Sequence, residues 1–475
     1  MEKPDNIKGR NAEWSALHEF AVADRPRGGV GLLYGRRRTG KSFLLRRLVG
    51  AVGGLYFQAT ESERPDALRE FGQAVASVTV SLSGTPAEPI VYGDWTDALE
   101  RRSGLVVIDE LPYLLEHSPE LPSLLQRIAD DSTNGSRLPV RFLLCGSSLS
   151  IMTSLLHGQQ PLRGRATLDM YLRPMDASES ARLWECSDGE VAIRLHAIFG
   201  GAPGYRALTN GLPTSVSDLG QWLATNVLNP NHALYREDTY LLQEERSITD
   251  RSLYGSLLRA IASGVATPTE IAARLQRSRE SLTHPLTTLL DAGFVHRHQD
   301  IFHPRRPEYR LADPIIRFHR LVVEPFRPLL DEGRWADVWD RSAHTVDANI
   351  FGPHLEEVAR RWAALRYRPP GDGFVSKSGH ARVADPKARS SIEIDVAALG
   401  PGDPDSAGPR VHLLGEVKWS CDKFGPGPLE RLARARTVLG ARGFDVSSCE
   451  LALISRTPPP NAGEGIRIGL DQLLA

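Results

Sequence analysis

The sequence predicts an α/β fold, a parallel sheet covered on both faces, with helical and mixed segments following it. Three observations carry that expectation. Short apolar runs at 29–34, 55–58, 105–110 and 141–145 alternate with helix-patterned stretches, as strands sealed between helix layers require. The first run passes straight into a glycine-rich turn and then an apolar-periodic helix. Near the C-terminus, residues 391–399 and 410–419 alternate apolar and polar side chains, which marks a second sheet.

Taken in order, Gly29-Val-Gly-Leu-Leu-Tyr34 reads as a buried strand. It leads into Gly35-Arg36-Arg37-Arg38-Thr39-Gly40-Lys41-Ser42, a complete Gly-x4-Gly-Lys-Ser/Thr match, and the helix that opens Phe43-Leu-Leu-Arg-Arg-Leu-Val. Strand, glycine loop and helix form the context a phosphate-binding loop needs, because glycines let successive N–H groups curl around phosphate oxygens at a helix N-terminus. Lys41 is then expected on the β/γ-phosphates and the Ser42 hydroxyl on Mg²⁺. A second strand at 55–58 and a helix around 64–77 follow. The run Leu105-Val-Val-Ile-Asp-Glu110 ends in two carboxylates: Asp109 suits Mg²⁺, and Glu110 suits a base that polarises the attacking water. The strand at 141–145 ends in Gly146-Ser147-Ser148, where Ser147 is placed to sense a γ-phosphate; a plain strand-ending turn is the alternative. Arg163 and Arg165 are candidates for a charge-neutralising arginine, and solvated arginines fit equally well.

Composition bounds the rest. At 475 residues, with 41% hydrophobic and 24% charged residues, the chain has room for two to four ordinary globular domains. A net charge of −1 excludes a globally basic nucleic-acid binder but not a local basic patch. No apolar stretch is long enough for a membrane span, and the first residues lack a signal-peptide pattern, so no membrane partner and a cytoplasmic location are expected. Cys145, Cys186, Cys421 and Cys449 have no metal-ligand spacing and read as plain thiols. Of 57 basic residues only Lys3, Lys8, Lys41, Lys377, Lys387, Lys418 and Lys423 are lysines, and two of these seven, Lys41 and Lys418, fall in motifs.

Several features together resemble the archaeal-type ATPases, a branch of the AAA+/STAND P-loop proteins. They are Gly9-Arg10-x-x-Glu13, the loop 35–42, Asp109-Glu-Leu-Pro-Tyr113, Gly146-Ser-Ser148, Pro161-Leu-Arg-Gly-Arg165 and Gly200-Gly-Ala-Pro203. The resemblance covers roughly 5–330 and continues beyond. It implies ATP as the nucleotide, Gly9 and Arg10 near its adenine side, Pro203 in a helical lid, and a winged helix after the lid. Arg163, where relatives often carry an aromatic residue, and the arginine run 36–38 depart from the pattern.

Residues 250–263, 268–275 and 277–292 read as three helices, and 293–302 with 308–311 as wing strands, a winged helix-turn-helix layout. Its arginines 274, 277, 279, 297, 305, 306 and 310 suit DNA contact, with Arg277-Ser-Arg-Glu-Ser-Leu opening the recognition helix and basic wing residues on phosphates; a packing module is the alternative. Further on, a helix at 351–365 and a Gly/Ser/Pro-rich loop at 369–390 are expected. By period two, Ile392, Ile394 and Val396 share one face and leave Asp395 on the other; Val411, Leu413 and Val417 likewise oppose Glu416 and Lys418. Antiparallel pairing then puts Asp395, Glu416 and Lys418 on a common surface, an oxygen-rich site for Mg²⁺ or Mn²⁺. Glu393-Ile-Asp395 and Gly415-Glu-Val-Lys-Trp419 resemble restriction-endonuclease-type nuclease cores, and that resemblance implies Glu356, with Glu357 next, as a further metal ligand; an exposed charged strand pair is the alternative.

The expected organisation is an ATPase core at 1–175, a helical lid at 176–249, a winged helix at 250–330 and an α/β nuclease-like domain at 345–475. The expected activity is ATP hydrolysis coupled to DNA, in a unit that can assemble as a homo-oligomer. The alternative is a regulatory or signalling ATPase whose tail is catalytically dead; a metabolic kinase is disfavoured.

Overall fold

The computed structural model describes residues 2–22, 29–83, 88–133, 139–303, 307–371, 373–401, 408–425, 427–458 and 464–475. Arg305 and Arg306, expected in the wing, lie outside the described residues. The chain forms two compact units: Met1–Met175 with Ala202–Gly204, and Asp176–Gly201 with Tyr205–Ala475.

The first unit is built on five strands, β1 (Gly29–Tyr34), β2 (Leu55–Gln58), β3 (Gly104–Asp109), β4 (Val140–Gly146) and β5 (Ala166–Tyr171). Every pairing is parallel, and the spatial order is β2-β3-β4-β1-β5. The continuous apolar runs seen in the sequence exist because both faces are covered. On one face Val30, Leu32, Ile108, Phe142 and Leu144 pack with Phe71, Leu125 and Ile128 of the helices Arg64–Ser83 and Leu121–Thr133. On the other, Leu33, Val107, Leu143 and Cys145 pack with Trp14, Leu17, Leu44 and Leu48 of the helices Asn11–Val22 and Lys41–Val52. The order of strands puts β4 between the strand that feeds the glycine loop and the strand that ends in Asp109.

In the second unit the chain is helical from Ala177–Leu183 to Glu237–Glu244. Three helices follow, Arg251–Ala262, Pro268–Leu275 and Arg279–Asp291, and then the antiparallel pair β6 (Val295–Gln299) and β7 (Pro307–Leu311). Local chemistry sets these boundaries. Thr267 and Glu270 form a reciprocal capping box ahead of Pro268, and the Ser278 hydroxyl caps the third helix.

The C-terminal sheet contains β8 (Lys377–Asp385), β9 (Ser390–Leu399), β10 (Val411–Lys418), β11 (Glu450–Ser455) and β12 (Ile466–Ile468), in the order β12-β11-β10-β9-β8. The pairs β8–β9 and β9–β10 are antiparallel, whereas β10–β11 and β11–β12 are parallel. Two sequence expectations are corrected here. The stretch 369–390 is not all loop, because Lys377–Asp385 forms β8; its only fully apolar inward residues, Ala381 and Val383, are too few to give a strand signal. The strict period of two also fails in both middle strands. Between Ile394 and Ala397 strand β9 has one residue more than its partner β8, so Ala397 joins Ile392 and Ile394 in one packed cluster, and the equally buried Val396 lies outside it. Likewise β10 has an extra residue at His412, so Leu414 shares that cluster with Val411, and the equally buried Leu413 lies outside it.

Candidate functional site

The loop between β1 and the helix Lys41–Val52 is shaped by residues that cannot be exchanged freely. A methyl group at Gly35 would lie 2.6 Å from the Leu172 carbonyl oxygen, so only glycine fits there. Arg38 and Gly40 both take left-handed backbone angles, with φ of 63° and 92°. The Thr39 hydroxyl closes the turn on the Arg36 carbonyl at 2.8 Å. From the other side, the Gly204 N–H donates to the Arg38 carbonyl at 2.9 Å, and Pro203 stands beside Gly40. The Lys41 ammonium is buried and donates to the carbonyls of Gly35 and Arg36 at 2.8 and 3.0 Å, reaching back over the loop. Burial pulls its pKa below the usual lysine range, while the charges of Glu110 and Asp109 act in the opposite sense.

Asp109 is fully buried at the end of β3. Its Oδ2 accepts from the Tyr56 hydroxyl at 2.6 Å, and its Oδ1 accepts from the Glu110 N–H at 3.1 Å. Burial together with the Asp109 carboxylate raises the Tyr56 pKa, so the phenol keeps its proton and stays a donor. The Cys145 thiol on β4 is raised in the same way, by burial first and Asp109 next. Glu110 itself sits in a left-handed conformation, φ 56° and ψ 44°, uncommon for a residue with a side chain. Its Oε2 accepts from both the N–H and the hydroxyl of Ser147, at 3.2 and 3.0 Å.

Of the residues expected here, the fold therefore brings the loop 35–42, Asp109, Glu110, Ser147 and Pro203 to one region. Ser42 is half-buried one residue into the helix. Gly9 and Arg10 both have positive φ, and Arg10 is buried with one guanidinium nitrogen on Glu13 at 2.9 Å and its Nη2 without a protein partner. Arg165 is placed differently: its Nε pairs with Asp130 at 3.0 Å, and nothing in its contacts involves the loop. Sequence reasoning missed Tyr56 and Cys145. Neither stands in a motif, and both reach the Asp109 carboxylate only because β2 and β4 flank β3.

The second cluster lies on the C-terminal sheet. The Lys418 ammonium is 3.4 Å from Asp395 and 3.6 Å from Glu416, so the fold brings these three together. Asp395 also accepts from the Val417 N–H at 2.8 Å. Both oxygens of Glu416 accept from Nη2 of Arg431, at 2.8 and 2.7 Å, from the helix Pro428–Ala441. Glu356 is 3.5 Å from Arg360 and 3.9 Å from Arg310 of β7; burial, and then the Asp395 charge, push its pKa up. A cleft of about 400 Å³ runs past Asp395, Glu416, Lys418, Arg431 and Arg434. Its oxygen donors suit a hard divalent cation. Yet each acid is already paired to an internal cation, and among the described residues no three acids or histidines stand together as a metal site.

The hairpin departs from the sequence expectation. Arg310, expected on phosphates, faces Glu308 and Glu356. His298 stacks near His380 of β8, with ring centroids 6.2 Å apart, and the Asp300 carboxylate accepts from the Arg382 N–H at 2.7 Å. In contrast, Arg274, Arg277 and Arg279, at the start of the third helix and before it, are exposed.

Among solved structures, the Walker-type ATPase PABY2304 of Pyrococcus abyssi matches 67% of this chain and 97% of its own, with a TM-score of 0.51 and 18% identity. The fold is that of a P-loop ATPase. The ORC2 protein of Aeropyrum pernix, described in ADPNP–ADP complexes, aligns over 71% of this chain and 96% of its own, at 16% identity and a TM-score of 0.43. In sequence, an uncharacterized protein of Methanocaldococcus jannaschii is 25% identical over 397 residues, 82% of each chain. No family model matches. The P-loop ATPase fold accounts for the strand order, with the Ser147 strand lying between the glycine loop and the Asp109 strand. Among the described residues, no helix is long and apolar enough to cross a membrane.

Proposed function

We propose that the first unit binds ATP with Mg²⁺ and hydrolyses it, and that the second unit couples this to DNA. The observation that carries the reading is the convergence of Lys41, Asp109, Glu110 and Ser147 around a loop in which Gly35 has no room for a side chain. The residues suit the nucleotide. Loop amides and Lys41 would hold its phosphates, Ser42 and Asp109 its metal, and the buried, unpaired Nη2 of Arg10 suits an acceptor on the adenine side. Bound Mg²⁺ would neutralise phosphate charge, and Glu110 would take a proton from the attacking water. Calorimetry with ATP and Mg²⁺ should show binding that Lys41→Ala abolishes. Absence of heat with the intact chain would remove the whole reading.

For the second unit, the three helices and hairpin are read as a winged helix that meets DNA through Arg274, Arg277 and Arg279. The C-terminal sheet is read as a metal-dependent nuclease core with Asp395, Glu416, Lys418 and Glu356. Incubation with labelled plasmid and Mg²⁺ or Mn²⁺, with and without ATP, should give cutting that Asp395→Ala and Lys418→Ala each remove. One observation favours a second reading, a regulatory ATPase whose tail binds without cutting: Glu416 is engaged by Arg431 and Glu356 by Arg360. DNA binding without cutting in that experiment selects it.

A further inference from the structure

The C-terminal cleft contains an arginine that no motif announced. Arg431 sits on the helix Pro428–Ala441 with its side chain 44% exposed, whereas the Glu416 side chain that it grips is 10% exposed. The cation is therefore at the mouth of the cleft and the anion at its floor. A single nitrogen, Nη2, spans both carboxylate oxygens at 2.8 and 2.7 Å, occupying the edge that a divalent cation would need. Lys418, on the same strand as Glu416, is shared between Asp395 at 3.4 Å and Glu416 at 3.6 Å, so it offsets only part of the Glu416 charge. A nearly buried carboxylate that loses the nearer of its two cations is costly, so the departure of Arg431 from Glu416 is favoured when another positive charge arrives. A guanidinium at a cleft mouth also has a second natural acceptor, a backbone phosphate of nucleic acid, whose geometry matches its fork.

We propose that Arg431 is a positioning residue that alternates between two anions: Glu416, as folded here, and a phosphate of the nucleic-acid backbone, with Glu416 released to a divalent cation in the second arrangement. This rests on the reading of the cleft as a metal-dependent phosphodiester site. It makes metal and nucleic acid cooperative by exchange of one side chain, since whichever binds first removes a competitor of the other, and the coupling is the same in both directions. Without nucleic acid, the acids stay neutralised by the protein itself and the metal is held weakly. Arg434, on the same helix and paired with Asp385, lines the cleft without touching Glu416 and is not part of the exchange.

The test is Mn²⁺ binding to the full chain without nucleotide, followed by calorimetry, with Asp395→Ala marking which binding belongs to the cleft. Arg431→Gln should bind Mn²⁺ at that site roughly two- to fivefold more tightly than wild type, the size of one half-exposed ion pair. Arg431→Lys, which keeps the charge, should stay near wild type. A non-cleavable duplex oligonucleotide should tighten Mn²⁺ binding in wild type and leave Arg431→Gln unchanged. If wild type has an Asp395-dependent site and Arg431→Gln binds no more tightly, the exchange is wrong and the reading of the cleft stands. If neither protein shows an Asp395-dependent site, the cleft is no metal site and both ideas fall.

Discussion

Ser147 donates twice to one oxygen of Glu110, from its amide and from its hydroxyl, and thereby fixes the carboxylate at the end of the neighbouring strand. The pairing links β3 to β4 at the position where water would have to be activated. Ser147→Ala keeps the amide donor and loses the hydroxyl. ATP turnover should fall roughly tenfold, as one positioning hydrogen bond is lost, with nucleotide affinity little changed. Glu110→Gln should lose on the order of 10²-fold or more and retain bound ATP. Phosphate release and filter-bound labelled ATP measure both; a faster Ser147→Ala enzyme would mean that the serine only holds Glu110 away from the reaction.

Gly35→Ala places a methyl 2.6 Å from the Leu172 carbonyl, and the atom it meets is backbone. The chain should lose about 1–3 kcal/mol of stability, as overpacked sites do, and its nucleotide binding should weaken with the displaced loop. Thermal melting with and without ATP reads both effects.

Arg360 is 5% exposed and serves Glu356 at 3.5 Å, Glu357 at 3.2 Å and the Asp395 carbonyl at 3.0 Å. Arg360→Ala removes a buried cation from two partly exposed carboxylates and from the Asp395 carbonyl, so a loss of about 1–3 kcal/mol is expected. Arg360→Met with Glu357→Gln should recover part of it. If Arg360→Ala melts like wild type, the cluster is solvated and the C-terminal sheet does not depend on it.

Acid should weaken the second unit early. Burial, followed by the charge of His296, lowers the His298 pKa, and burial likewise lowers that of His380; Arg310 and Arg360 add to both, and Glu357 opposes them at His298. A histidine with a depressed folded pKa is neutral in the native chain but takes a proton when unfolded, so stability is full above the ordinary imidazole range of about 6.5 and declines as pH falls below it. Glu357 is itself held below the carboxylate range by Arg360 despite its burial, and its contribution is lost at still lower pH. Chemical denaturation between about pH 7.5 and 5 should show this slope, reduced in His298→Gln.

Much of the first unit was legible because burial on two faces leaves unbroken apolar runs: β1, β2, β3 and β4 coincide with 29–34, 55–58, 105–110 and 141–145 to within a residue or so. Strand β5 escaped notice because, at the sheet edge, Ala166–Tyr171 is only half covered and shows no run. Helix Asn11–Val22 was not read from the sequence, where only Gly9-Arg10-x-x-Glu13 stood out in that region. At the site, residues in contiguous motifs could be named, whereas Tyr56, Cys145 and Arg431 depend on strand order and helix packing, which no local pattern encodes. The extra residues in β9 and β10 were invisible for the same reason: a bulge is a property of the pair of strands.

The three residues Ala202–Gly204 pack as part of the first unit although 26 residues of the second separate them from Met175. A protein cut off at Met175 would therefore expose the Arg38 carbonyl, whose donor is the Gly204 amide. A fragment that keeps the first unit whole has to run to at least residue 204, carrying the helices Ala177–Leu183 and Gly189–Phe199 with it. Anyone dissecting this chain at its apparent seam would remove a segment that packs on the glycine loop.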